Sequence, residues 1–294
     1  MRDERKAMAY RAPGGPKWVT RGILMLLALL MLVPVAVTFL YSFFSPAEIK
    51  AFMQTRGSYD AEKWMEVKLS PTVFSLTQYY EILIRDTSIL HMFVNSAFYT
   101  VMILLGQAAV IPLMAYGLSR FRFRGRDAIF FGIIMLMLLP FQVTMVPNVL
   151  TLRAVGLLNT VWAVILPMWF APFYIFLIRQ FMLGLPNELL EAAQVDGAGT
   201  FRCYLHIVLP VCRPIIGAAV ALSFADCWNL VEQPMTYLSQ RMDLQPLSVM
   251  FNQLAETSSG IEFAGASIYI LPALFIYLYF LKDILAGVQL TELK

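Results

Sequence analysis

Charge is scarce in this chain. Only 14% of its 294 residues are Asp, Glu, Lys or Arg, while 59% are hydrophobic. A soluble domain carries roughly 25% charged and 45–50% apolar residues, so a water-soluble globular protein is excluded. Cysteine is also sparse. Cys203, Cys212 and Cys227 form no CxxC pair, which leaves neither a disulfide framework nor a cysteine-based metal site. The two histidines, His91 and His206, stand far apart in sequence, and each reads as structural. No GxxxxGK run followed by Ser or Thr occurs, so the chain is not expected to bind ATP by itself. Neither a Ser-His-Asp set nor a paired-carboxylate motif suggests an intramembrane enzyme.

What is present is a series of long apolar runs, with a mean hydropathy of +0.68. Gly22 to Phe44 carries no charge, and neither do Met92 to Ser119 and Ala128 to Leu152. A helix of about 20 residues crosses a bilayer. The first run is too long for a signal-peptide core and no clear small-residue cleavage site follows, so it reads as an anchor that Pro34 kinks. Pro140, Pro147 and Asn148 break the later part of the third run. Further spans are expected over about Thr160 to Phe181, Pro214 to Pro234 and Phe263 to Leu281. Six helices in an all-α membrane protein result.

Residues 45–90 are mixed and polar and read as an external loop with a small helix or two. The loop at about 236–262 is expected on the same side. Arg120, Arg122, Arg124 and Arg126 fall within seven residues between the second and third runs. Positive charge of this density marks a cytoplasmic loop. The basic segment 1–21 agrees, and six spans then place both termini inside. A nucleic-acid reading of the arginines is weak, because they are squeezed between two spans.

Between the fourth and fifth runs lies a polar island, Glu191 to Pro210. Read locally it is two short helices with a glycine hinge. Asn187 is expected to cap the first, with Glu188 and Glu191 in its first turn, where the helix dipole favours acid. Gly197 suits a left-handed residue just past the end of that helix, and Gly199 loosens the joint. Thr200 is expected to cap the second helix and Pro210 to end it. A stub of about 8 residues is not stable alone and needs a holder. An amphipathic helix on the lipid surface is the competing reading. Such helices favour Lys and Arg on their polar face, whereas this one opens on Glu188 and Glu191 and closes on Asp196.

The island resembles the cytoplasmic loop of the permease subunits of binding-protein-dependent ABC importers. Their signature is Glu-Ala-Ala, three residues, Gly, nine residues, then Ile-x-Leu-Pro. Glu191, Ala192, Ala193, Gly197, Ile207, Leu209 and Pro210 fill every position. The resemblance runs from about residue 70 to the end. Phe74 to Tyr80 is similar to the start of the family's permease core, and Asn95-Ser96 also recurs there, read here as interhelical hydrogen bonding. Leu157 to Pro167 is similar to a stretch of its sugar importers, and the tail Gly287 to Lys294 to one of the two sugar permeases. Either that tail runs toward the ATPases or it is a frayed end.

The resemblance implies the MetI-like permease fold in an importer of the maltose-type class. It implies 1–21 as a cytoplasmic segment, 22–44 as the first span, 45–90 outside, and 91–287 as the core. Within that core lies a coupling loop, 183–212, and 288–294 is a cytoplasmic tail. Glu188, Glu191, Ala192, Ala193, Asp196, Gly197, Ile207, Leu209 and Pro210 would form the loop that docks on an ATPase. Expected partners are a second homologous permease, two ATPase subunits, an external sugar-binding protein and membrane lipid, with no nucleic acid. The chain itself would bind no cofactor and would not be an enzyme; ATP and Mg would sit in the ATPases. The expected location is the bacterial inner membrane.

Most of the apolar runs are uncharged, but the fifth carries Asp226, mid-run, and Glu232 near its outer end. An intramembrane carboxylate is expensive and marks a functional candidate. Trp228-Asn229, four residues, then Pro234 resembles the fifth span of carbohydrate permeases, where Asp226 and Glu232 depart from the commoner apolar residues. Asp226, Trp228 and Asn229 are candidates to line a sugar path. Alternatively Asp226 pairs with a polar group of a neighbouring helix or of the partner permease. Other readings of the whole chain are a permease for another solute such as glycerol phosphate, and an ion-coupled secondary transporter. The second commonly shows internal repeats and buried ion ligands, and no clear repeat is seen here.

Overall fold

A computed structural model describes residues 17–55, 68, 70–85, 87–254 and 261–292. Among them every regular element is helical: α1 (Lys17–Tyr41), α2 (Pro46–Thr55), α3 (Thr77–Tyr80), α4 (Thr87–Arg120), α5 (Arg126–Leu138), α6 (Phe141–Ala154), α7 (Val161–Trp169), α8 (Pro172–Leu183), α9 (Glu188–Val195), α10 (Thr200–Cys203), α11 (Leu209–Val211), α12 (Arg213–Trp228), α13 (Glu232–Tyr237), α14 (Leu247–Leu254) and α15 (Glu262–Glu292). Wider π-type turns occupy Glu81–Arg85 and Tyr204–Val208. The basic segment up to Pro16 and the last two residues of the tail lie outside the described residues.

Four helical stretches are long and apolar enough to cross a membrane, and six if each of two bent pairs counts as one span. The bent pairs are α5 with α6, at 110°, and Thr200–Val211 with α12, at 73°. The first bend falls at Pro140, one of the residues expected to break the later part of the run from Ala128 to Leu152. Leu139 is extended and Pro140 has no N–H to give, so the helix stops there and a new one starts at Phe141. The fifth run is shorter than expected. Asn229 ends α12, Val231 leads into the separate helix α13, and Glu232 is that helix's first residue. Asp226 is therefore in the last turn of its helix rather than mid-span.

The chain divides into two compact units, Met1–Tyr80 with Gly260–Ser267, and Glu81–Ser259 with Ile268–Lys294. In the first, α1 is apolar around its whole circumference, and its side chains are exposed from Trp18 to Val35. A helix of that kind needs lipid or protein around it. Tyr41, Phe44 and Ile49 are buried together at its end, with Phe263 packed against them. Gln78, inside the Phe74 to Tyr80 stretch, is fully buried there. Its amide donates to the Tyr41 and Phe44 carbonyls at 2.7 and 2.8 Å and accepts from the Ala264 N–H at 3.2 Å. The carbonyls closing α1 are so supplied with the partner a helix end lacks.

In the second unit α4 is the mast. Its 34 residues rise about 51 Å, and α7, α8 and α12 pack along it. Ile111, Ala115, Leu118, Ile175, Ile178, Met182 and Cys212 form one core; Tyr99, Ile103, Val164, Ile165, Cys227 and Tyr237 form another. Between the two cores Gly106 lets Trp169 lie directly on the α4 backbone, where a Cβ would fall inside the indole. The Trp169 Nε1 donates to the Met102 carbonyl at 3.1 Å. One turn on, the Gln107 amide donates to the Met168 carbonyl at 2.7 Å and accepts from the Ser223 hydroxyl. The need for it is local. Phe170 and Ala171 are extended between α7 and α8, so the last carbonyls of α7 have no helical partner. A chain in lipid must satisfy them internally.

Candidate functional site

The polar island is built as an exposed arm. α8 ends at Leu183, a short connection passes Pro186 and Asn187, and α9 follows. No residue of α9 is buried. Leu190 packs against the core, while Glu188, Leu189, Glu191, Ala192 and Val195 are exposed, Val195 at 87%. A helix this short has little stability of its own. Its C-terminus is closed instead by a Schellman arrangement. Gly197 N–H bonds Gln194 carbonyl at 3.0 Å, Ala198 N–H bonds Ala193 carbonyl at 2.9 Å, and Gly197 takes φ 81°. The left-handed residue thus stands where the sequence pattern puts it, and it turns the chain sharply after Asp196.

Three local expectations are corrected. Asn187 precedes α9, but its side chain makes no cap bond; only its backbone carbonyl accepts from Leu190 and Glu191, at 2.9 and 3.0 Å. Its Oδ1 is taken by Arg120 Nη1 at 2.5 Å. Gly199, extended, is the residue before α10, and Thr200 is the first residue inside it rather than its cap. Nor does Pro210 end the second helix. The helical path runs on through Val211 and bends at Cys212. Pro210 lacks an N–H for the His206 carbonyl, and the preceding turn widens, with Leu209 N–H bonding Tyr204 carbonyl. Ile207 and Leu209 are half-buried beneath this turn, and Pro210 is exposed.

The arm is held by the last turn of α4. Arg120 Nη2 donates to the carbonyls of Met182 and Leu185 at 2.5 and 2.9 Å, and Tyr116 Oη donates to the Thr200 carbonyl at 3.3 Å. Arg179 of α8 answers in the other direction. It is buried, its Nε donates to the Leu118 carbonyl at 3.1 Å, and its guanidinium lies 3.6 Å over the Phe130 ring. Sequence reasoning passed over both contacts. In the sequence Arg120 reads only as one of four clustered charges, and Arg179 sits two residues before the expected end of the fourth run. A lone arginine inside an apolar run was the available signal.

At the far end of α12, Asp226 and Asn229 line an open cavity of about 470 Å³ with Met168, Leu230, Val231 and Glu232. Asp226 accepts a 2.5 Å hydrogen bond from the Tyr174 hydroxyl of α8, so it does have a neighbour-helix partner. Glu232 accepts from Gln142 at 2.8 Å. Trp228 does not join them. Its indole is buried, stacked between Phe224 and Tyr269, with Nε1 bonded to the Tyr269 carbonyl at 3.1 Å. Tryptophan at a helix end reads equally as lining or as core, and here the core wins. Of the pair expected to bond between helices, Ser96 does so, to the first residue of α14, while Asn95 bonds the backbone of the segment before α14. Asn95 donates to Asp243 and Gln245 carbonyls at 2.9 and 3.1 Å, and Ser96 accepts from Leu247 N–H at 2.9 Å.

Residues 108–286, more than half of the chain, match the family described as binding-protein-dependent transport system inner membrane component. The chain belongs to this family and is a multi-pass protein of the inner membrane. It is 29% identical over 205 residues to the arabinooligosaccharides transport system permease protein of Halalkalibacterium halodurans, covering 69% of this chain and 73% of that protein. It is 34% identical over 195 residues to the polygalacturonan/rhamnogalacturonan transport system permease protein of Bacillus subtilis, covering 66% of each. The fold matches the crystal structure of a bacterial ABC transporter involved in the import of the acidic polysaccharide alginate. There the TM-score is 0.76 at 23% identity, over 92% of this chain and 99% of that one.

Proposed function

We propose that this permease carries a sugar or oligosaccharide inward by alternating access, and that α9 is the coupling helix through which an ATPase drives it. The observation that carries the reading is the exposed arm. Eight residues of helix touch the bundle through Leu190, present Leu189 and Val195 to solvent, and are fixed in direction by the Gly197 turn. A docked partner would cover that apolar surface and meet Glu188 and Glu191. The lipid-surface alternative is disfavoured by the absence of basic residues on α9.

In this reading the arginine loop, the arm and both termini share the cytoplasmic side, and 45–90 faces outward. The proposed assembly has a second homologous permease, two ATPases holding ATP and Mg, and an external sugar-binding protein. Asp226 and Asn229, in the cavity beside Met168, are the proposed path residues; Trp228 supports them from behind. A saccharide fits such a lining, since side-chain oxygens and amides match hydroxyl groups. Tagged chain, expressed from its native genetic setting, should co-purify an ATPase subunit, and its deletion should abolish uptake of at least one labelled sugar. Purification without any ATPase, with sugar uptake intact in the deletion strain, would overturn the proposal.

A further inference from the structure

The arm is gripped at both of its ends by one turn of one helix. Arg120 holds the leading end through Asn187 Oδ1, and Tyr116, four residues earlier, holds the trailing end through the Thr200 carbonyl. Arg120 also ties down the Met182 and Leu185 carbonyls at the close of α8. Arg179 returns the bond, from α8 to the Leu118 carbonyl of α4. Each guanidinium thus sits at the C-terminal end of the other's helix, where free carbonyls and the helix dipole both favour a cation. Asn187 has given up the cap it would ordinarily make in order to face Arg120.

We infer that this reciprocal arginine clasp makes the arm, the end of α8 and the end of α4 a single rigid body, and that Arg120 is the positioning residue through which movement of α9 reaches the bundle. The inference rests on the coupling reading of α9. Arg120 suits the task because one planar fork meets three acceptors at once, which a lysine ammonium on its flexible stem does not reproduce. Without the clasp α9 would swing on the connection 184–187, and a push on it would be absorbed there. With it, a push turns α4, against which α7, α8 and α12 are packed.

The test measures the distance between spin labels on Leu113→Cys, in α4, and Gln194→Cys, in α9. It uses the full chain in lipid nanodiscs, with Cys203, Cys212 and Cys227 replaced by alanine. The unaltered clasp should give one narrow distribution. Arg120→Ala should broaden it, the population of displaced arms rising roughly ten-fold or more, and Arg120→Lys should fall between. Asn187→Leu cuts only the leading link and should broaden the distribution without changing thermal stability. Asn187→Asp, which keeps an acceptor, should restore it. In the assembled transporter Arg120→Ala and Asn187→Leu should still co-purify with the ATPase, yet lose stimulation of ATP hydrolysis by loaded binding protein. Unchanged distributions in both variants would overturn the clasp. Broadened distributions with full stimulation would overturn its role in transmission. Failure of the coupling reading itself would appear separately, as full stimulation in Gly197→Val, because the label distance needs no partner.

Discussion

Replacing Gln107 by leucine tests how the apolar bundle copes with a broken span. The side chain is of similar size, so the change is chemical rather than steric. Two bonds go: the one to the Met168 carbonyl at 2.7 Å and the one from the Ser223 hydroxyl. A hydrogen bond between membrane helices is worth about 0.6 kcal/mol on average, because the reference state also finds partners. An orphaned buried carbonyl costs more, about 1–3 kcal/mol. The second effect should dominate, since the Met168 carbonyl faces the extended break at Phe170–Ala171 and has no helical donor. Ser223 keeps a weak contact to Cys227 Sγ at 3.7 Å and suffers less. A net loss of about 2 kcal/mol is expected, a factor of roughly 30 in the folded-to-unfolded ratio. Unfolding by SDS in bicelles would measure it, and Ser223→Ala, which keeps the Met168 bond but orphans the Gln107 Oε1, should itself lose about 1–3 kcal/mol. Equal or greater stability in Gln107→Leu would refute the argument that this amide satisfies the break.

Gly106→Ala should destabilise by about 1–3 kcal/mol, since the new Cβ must displace the Trp169 indole and its bond to Met102; unchanged unfolding would contradict the close approach. Asp226→Ala should lower sugar uptake while assembly holds, at a stability cost of about 1–3 kcal/mol because the Tyr174 hydroxyl loses its acceptor, whereas Trp228→Ala should fail through the fold, by about 3–5 kcal/mol. Normal uptake at limiting sugar in Asp226→Ala would move the path elsewhere. Single cysteines at Phe123 and Ala198 should resist an impermeant thiol reagent in intact cells, while one at Asp60, outside the described residues, should react. Labelling at Phe123 from outside would invert the proposed topology.

The apolar runs and the family signature were legible because each rests on a local pattern. A charge-free stretch of bilayer length reads as a span whatever surrounds it, and Gly197 declared its left-handed turn by being glycine after a helix. What stayed hidden was set by partners distant in sequence. Asn187 looked like a cap until Arg120, 67 residues away, claimed its oxygen. Trp228 looked like a path residue until Phe224 and Tyr269 enclosed it. The stop of α12 at Asn229 was masked by Leu230 and Val231, which carry the apolar run past the helix end. Pro210 reads as a terminator, but a helix can absorb one missing N–H by widening a turn, which single-residue rules do not foresee.

The central claim is that α9 transmits the work of ATP hydrolysis. Valine at Gly197 would have to adopt φ near 81° at a cost of roughly 1–2 kcal/mol, or rebuild the turn that aims the arm. Space is not at issue, since a Cβ there meets nothing within 4 Å, so the effect isolates backbone direction. The direct measurement is ATPase activity of the reconstituted transporter with and without sugar-loaded binding protein. Gly197→Val should insert and fold, yet show weak ATPase association or hydrolysis that loaded binding protein no longer stimulates. Glu191→Ala should show a milder form of the same fault, since one rim charge is lost. Full stimulation together with full transport in Gly197→Val would contradict the account.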